Sequence, residues 1–181
     1  EKFIGRQLNS LKIGVVGYGR LGKLFTKYCL AFGAQLILYD PYVKKNNKKI
    51  LRVNSLEKLF TLSDIVALHV HVTGETRGMI NSKILNKSHK KIIIVNTSRG
   101  ELINEKDMIK FLKKNKKAKY YTDVLSNEVL RMHDNKLLKY SNTLMGQKQV
   151  FITPHIGGMT KEAQEIAYNH AVKLLKKNLN N

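Results

Sequence analysis

Gly17-Tyr18-Gly19-Arg20-Leu21-Gly22 constrains this chain more than any other segment, because of what stands on either side of it. Before it lies the short β-branched run Lys12 to Val16. After it comes an apolar series, Leu21, Leu24, Phe25, Tyr28, Cys29 and Phe32, at helical spacing. A strand must turn sharply into a helix here, and glycines suit that turn: one bends it, one lets a pyrophosphate approach, one lets helix and strand pack closely. The free N–H groups and dipole of the helix start favour negative charge without any side chain, and Arg20 can add a direct contact. G-x-G-x-x-G alone is weak evidence; its strand-and-helix setting favours a dinucleotide site over three turn glycines with no ligand. The six apolar side chains are expected to pack on the sheet, and the helix to stop at Gly33.

The same alternation continues. Short apolar runs at Gln35 to Tyr39, Ile65 to Leu68, Lys91 to Val95, Lys119 to Thr122 and Val150 to Thr153 read as buried strands. Ser55 is positioned to cap a helix over Leu56 to Leu62, Asn104 one ending near Lys114, and Thr160 a final helix carrying Ala163, Ile166, Ala167 and Leu174. Strands and helices in this order predict an α/β fold, a Rossmann-type doubly wound parallel sheet in one domain over residues 1–181. Residues 1–10 and 165–181 read as connecting segments. Asn127 to Gln149 has no clean period and is expected to be loop with a short helix.

Composition narrows the partners. The net charge of +20 arises from 33 Lys and Arg against 13 Asp and Glu, which raises the question of nucleic acid. The clusters Lys44 to Lys49, Lys87 to Lys91 and Lys113 to Lys119 consist mostly of Lys and Asn, largely without aromatic stacking residues or a nucleic-acid motif. They read as solvated connections that give a positive field suited to anionic cofactors and substrates, and no specific nucleic-acid partner is expected. No apolar stretch approaches the roughly 20 residues that span a bilayer. The single cysteine, Cys29, cannot form an internal disulfide, so a reducing, cytoplasmic setting is expected. No metal is called for.

In an open parallel sheet, ligands sit beyond the carboxyl ends of the strands. Asp40 ends the second strand, 18 residues past Gly22 (40 − 22), where a carboxylate can accept hydrogen bonds from the adenosine ribose and repel a 2′-phosphate; that favours NAD. A turn aspartate before Pro41 is the plainer alternative. His69 and His71 follow the third strand, Asn96-Thr97-Ser98-Arg99-Gly100 the fourth, Asp123 and Glu128 the fifth, and Pro154-His155-Ile156-Gly157-Gly158 the sixth. A guanidinium, a carboxylate and an imidazole converging on one crevice suit carbonyl reduction or alcohol oxidation: His moves the proton, the carboxylate orients it, Arg binds an anionic substrate. Taken singly, Arg99 also reads as a surface arginine, Glu128 as a loop carboxylate and His155 as a satisfied histidine. His69, His71, His89, His133 and His170 read as structural.

Ile13 to Gly22, Tyr39 to Tyr42, Ser63 to Val70, Val95 to Gly100 and Thr153 to Gly158, in that order, closely resemble the D-isomer-specific 2-hydroxyacid dehydrogenases. The resemblance implies an NAD-dependent oxidoreductase domain that moves a hydride between NAD(H) and a small D-2-hydroxy or 2-keto acid. It makes Arg99 the substrate-binding arginine, His155 the acid/base, Glu128 its orienting partner and Asp123 the holder of the nicotinamide carboxamide. It places the cofactor on Gly17, Gly19, Arg20, Leu21, Gly22, Asp40, Pro41, Thr97, Asp123, His155 and Gly157, and it implies a homodimer. Val129 stands where the family usually has Pro, and His71 where it commonly has Pro, so the loop lining the adenine side is expected to differ from the family's. Family members carry a further substrate domain, built mainly from the N-terminal part of the chain, which is largely or wholly missing from these residues; the chain by itself is expected to turn over poorly. The alternative is a corepressor-like module that binds protein partners when loaded with dinucleotide.

Overall fold

The computed structural model describes residues 4–43, 47–128 and 142–179. Seven parallel strands form one sheet in the order β3-β2-β1-β4-β5-β6-β7. They are β1 (Lys12–Val16), β2 (Gln35–Tyr39), β3 (Ile50–Arg52), β4 (Ile65–Leu68), β5 (Ile93–Asn96), β6 (Lys119–Thr122) and β7 (Val150–Ile152). Between them run α1 (Arg20–Ala31), α2 (Leu56–Leu62), α3 (Ser82–Leu85) and α4 (Glu105–Lys114), and α5 (Lys161–Leu179) follows β7. The doubly wound parallel sheet foreseen from the sequence is therefore present. The central strands are nearly continuous apolar runs because both of their faces are covered. One face buries Leu59, Phe60, Leu68, Leu85, Met108 and Tyr120, the other Ile13, Val15, Leu36, Leu38 and Cys29. Truncating a fully buried side chain such as Phe60 to Ala costs about 3–5 kcal/mol in sites of this kind.

The caps act as their residue types predict. Ser55 accepts from the Lys58 amide, Asn104 from the Asp107 amide, and the Thr160 hydroxyl from the Ala163 amide at the start of α5. The short α3 was not foreseen, β7 ends at Ile152 rather than Thr153, and three further features differ from the sequence reading. Strand β3 was not foreseen: it has three residues, two of them exposed, in a segment flanked by lysines, so it carries no readable period. Strand β5 runs from Ile93 to Asn96 rather than Lys91 to Val95, because Ile92 is still part of the preceding turn, its amide donating to His89 O. The third is a correction to α1. Its buried residues are Gly22, Thr26 and Cys29, while Leu21, Leu24, Tyr28 and Phe32 are exposed. Small residues let the helix approach the sheet, and the larger apolar side chains are turned onto the adjoining, open face. The segment 127–149 lies outside the described residues from 129 to 141.

The sheet order also sorts the charge. Lys87 to Lys91 and Lys113 to Lys119 lead into β5 and β6, so these lysines ring the amino-terminal edge of the sheet; Lys48 and Lys49 likewise precede β3. Strand order reverses between β1 and β4, at the opposite, carboxyl edge, where such sheets hold ligands.

Candidate active site

Gly17 follows β1 with φ at +93°, a conformation that favours glycine, and its amide donates to Tyr39 O at 2.9 Å. A side chain there would strike Val70 and the His69 carbonyl; one on Gly22 would strike the Gly17 carbonyl oxygen. These two glycines therefore allow β1, β4 and α1 to meet. Gly19 differs: a Cβ there would meet nothing of the protein within 4 Å. Gly19 is also the N-cap of α1 and supplies no side-chain cap, so no capping side chain occupies the first amides of the helix. This cradle fits a pyrophosphate, which needs backbone N–H donors and room rather than side chains. Arg20 and Leu21 are exposed at its rim.

Asp40 lies beside that cradle. One carboxylate oxygen accepts from the Tyr18 amide at 2.7 Å and the other from the Tyr42 amide at 2.9 Å. The residue thus serves as a turn aspartate and also ties the glycine loop to β2, with acceptor capacity left on both oxygens. Pro41 is exposed beside it, and the Tyr42 hydroxyl donates to Glu75 Oε2 at 2.7 Å, spanning from the loop after β2 to the loop after β4.

On the other side of the switch point, Asn96 shapes the turn that carries Thr97 and Arg99. Its amide group donates to Arg99 O at 2.9 Å and its oxygen accepts from the Ser98 amide. Thr97 and Arg99 are both exposed, and the Arg99 guanidinium folds onto Ser98 O at 2.6 Å. The following Gly100 is crowded: a Cβ would run into the backbone of Leu125 and Ser126. The loop after β6 therefore rests directly on the loop after β5. Glu101 Oε1 accepts from the Asn127 amide at 3.0 Å, and Glu105 Oε1 from the Ser126 amide at 3.3 Å.

That support delivers Glu128. Its Oε1 accepts from the Leu125 amide at 2.9 Å, and its Oε2 lies 3.0 Å from His155 Nδ1. His155 itself has φ at +53° and projects from the loop after β7. Asp123 holds that loop from beneath: its oxygens accept from the Thr153 hydroxyl and from the amides of Ile156 at 2.9 Å and Gly157 at 2.7 Å. Burial pushes the Asp123 carboxyl up, but these hydrogen bonds and the nearby His155 outweigh it and leave the group below its ordinary value.

The structure thus brings Arg99, Glu128 and His155 to one cavity of about 390 Å³, with Asp123 and Gly157 beneath it and the Gly17 to Gly22 cradle and Asp40 farther along the same edge. Sequence reasoning named Asn96 only as part of the block that carries Arg99, without a supporting role, and overlooked Glu101 and Glu105. The available signal was Asn96 at the end of a strand and two acids placed soon after the Arg99 turn. His69 packs its ring 4.8 Å from Phe25, and burial lowers its pKa; its Nε2 is buried and has no partner among the described residues.

Residues 1–157 match the family described as D-isomer specific 2-hydroxyacid dehydrogenase, NAD binding domain. The chain belongs to that family. It is similar to a hydroxypyruvate reductase of Blautia hydrogenotrophica, 35% identical over 177 residues that cover 94% of this chain and 52% of the relative. It is also 35% identical to a D-3-phosphoglycerate dehydrogenase of Methanocaldococcus jannaschii, covering 98% of this chain and 33% of that protein. Among solved structures, a D-lactate dehydrogenase from Aquifex aeolicus, complexed with NAD and lactic acid, superimposes with a TM-score of 0.87 at 29% identity, covering 99% of this chain and 56% of that one. The chain therefore spans about half, or less, of the length of these relatives. The alternative of a dinucleotide-dependent protein-binding module gains no support from them.

Proposed function

We propose that this chain supplies the NAD-binding half of a dehydrogenase acting on small D-2-hydroxy and 2-keto acids, with its reaction centre at Arg99, Glu128 and His155. The observation that carries this reading is the Glu128–His155 pair, held 3.0 Å apart in the cavity that Arg99 also lines. Arg99 binds the substrate carboxylate, for which a guanidinium offers paired donors. His155 takes the proton from the hydroxyl in oxidation and returns it to the carbonyl oxygen in reduction, while Glu128 fixes the imidazole through Nδ1. NAD, when bound, supplies the hydride acceptor. The open amides of α1 take the pyrophosphate, Asp40 the adenosine ribose, and Asp123 the carboxamide. Pro41, Thr97 and Gly157 line the cofactor's path.

A homodimer accompanies this reading, and the exposed Leu21, Leu24, Tyr28 and Phe32 of α1 give it an apolar face to use. Lys161–Leu179, a helix without a buried residue, serves as a connection toward a substrate domain supplied elsewhere in the protein. Cytoplasm suits the lone Cys29, whose thiol is buried and pushed up by that burial, hence inert. Among the described residues, no helix is long and apolar enough to cross a membrane.

Calorimetric titration with NADH and NADPH tests the cofactor assignment. NADH is expected to bind at least about tenfold more tightly, since a ribose carboxylate repels a 2′-phosphate. Equal affinity, or preference for NADPH, overturns it. In the complete protein, His155→Ala is expected to lower kcat/KM for 2-keto acids by roughly 10²-fold or more; unchanged turnover removes His155 from the reaction.

A further inference from the structure

A phenol is buried beneath the Arg99 turn, and the reaction makes no use of it. Tyr120 of β6 is 1% exposed. Strand register sets Ile94 beside Tyr120 and Asn96 beside Thr122, so these four side chains share one face of the sheet. The Tyr120 hydroxyl accepts from Asn96 Nδ2 at 3.2 Å, and Thr122 also hydrogen-bonds it. A phenylalanine fills nearly the same volume, and burying a hydroxyl is unfavourable unless it is bonded. Packing explains the ring; the oxygen has a different task.

That task lies in Asn96, which is fully buried. Its side chain has two N–H groups and a carbonyl oxygen, and each is engaged. One N–H donates to Arg99 O at 2.9 Å, the oxygen accepts from the Ser98 amide at 3.1 Å, and Nδ2 also donates to Tyr120. Because Ser98 offers a donor there and Arg99 an acceptor, the amide has a single orientation, and Tyr120 takes the N–H that remains. Burial pushes the phenol up to about 12, so it acts as a neutral hydrogen-bonding group. Losing the hydroxyl has unequal effects. Thr122 keeps Val124 O at 2.6 Å and Asn96 O at 3.2 Å, so the loop that starts at Asp123 keeps its support. Asn96 is left with a buried N–H that has no partner, which drives the amide to turn away from Arg99 O.

We propose that the Tyr120 hydroxyl is a positioning group for substrate binding: through the Asn96 amide it fixes the turn from which Arg99 reaches the cavity. This rests on Arg99 being the group that binds the substrate carboxylate. Tyr120 lies in the core behind the turn and touches no substrate. It acts on the grip of the guanidinium, whose paired contacts with a carboxylate demand both distance and angle. Proton transfer is left alone, because Glu128 and His155 arrive on other loops.

The test compares Tyr120→Phe with Ile94→Val, which loosens the same face of the core but removes no hydrogen bond. In this chain, hydrogen exchange at the Ser98 amide is expected to quicken about tenfold in Tyr120→Phe. The Ile156 and Gly157 amides, which donate to Asp123, are expected to keep their rates. In the complete protein, kinetics use NADH with glyoxylate, pyruvate or hydroxypyruvate, whichever the parent reduces best. KM is expected to rise about tenfold in Tyr120→Phe, with kcat within about threefold, as loss of one charge-assisted contact gives. Ile94→Val is expected to lower Tm while leaving Ser98 exchange and KM as they were. Unchanged Ser98 exchange, an unchanged KM, a fall in kcat as large as the rise in KM, or an equal KM shift in Ile94→Val overturns the role of Tyr120. A parent that reduces none of the three acids removes the dehydrogenase reading and this role with it, whereas an active parent whose KM ignores Tyr120→Phe removes the role alone.

Discussion

Glu128 Oε2 lies 3.0 Å from His155 Nδ1, although the two residues are 27 apart in sequence and arrive on different loops. In the proposed reaction, a carboxylate on Nδ1 leaves Nε2 as the nitrogen that meets the substrate and balances the charge that the ring gains when it takes a proton. Glu128→Gln keeps the size of the side chain but removes that charge. Steady-state kinetics of the complete protein should show kcat lower by roughly 10²-fold, with the Kd for NADH unchanged. A kcat within twofold of the parent would mean that the pair only holds the loop.

Gly100 allows this pair to form, since its missing side chain lets the backbone of Leu125 and Ser126 rest on the Arg99 turn. Gly100→Ala must push those backbones apart. Overpacking of this sort costs about 1–3 kcal/mol, and each kcal/mol lowers the Tm of a domain this size by about 2–4 °C. Hydrogen exchange should also quicken at the Ser126 and Asn127 amides, which now donate to Glu105 and Glu101. Unaltered exchange with a normal Tm would show that the loop can shift without loss.

How much of this was legible beforehand follows from the range of each interaction. The glycine loop, α1 and the strand ends are local patterns, so Gly17 to Gly22, Asp40 and the catalytic candidates could be placed at the carboxyl edge from spacing alone. Which face of α1 is buried was not readable that way: apolar periodicity marks a face, but close packing on a sheet selects Gly22 and Thr26 over Leu24 and Tyr28. The supports escaped for another reason. Glu101 and Glu105 act on loops far away in sequence, by hydrogen bonds to backbone amides that carry no residue signature. Asp40 reconciles its two readings, because a carboxylate can hold a turn and still present lone pairs outward.

Asp123 links pH to the loop that bears His155. It is 6% exposed and accepts from the Ile156 and Gly157 amides and the Thr153 hydroxyl. Its folded pKa lies below the ordinary value, burial being outweighed by these hydrogen bonds and by His155. A carboxyl depressed on folding contributes stability above its unfolded pKa of about 3.9 and loses that contribution as pH falls through the folded value. Asp123→Asn, which leaves buried amides less well matched, should therefore cost about 1–3 kcal/mol at neutral pH. Thermal unfolding of the two proteins should show a Tm gap that is constant from about pH 5 to 8 and narrows below about pH 4. A gap that instead widened toward acid would mean that the carboxyl is already protonated in the fold, and that the loop is held by neutral hydrogen bonds rather than by charge.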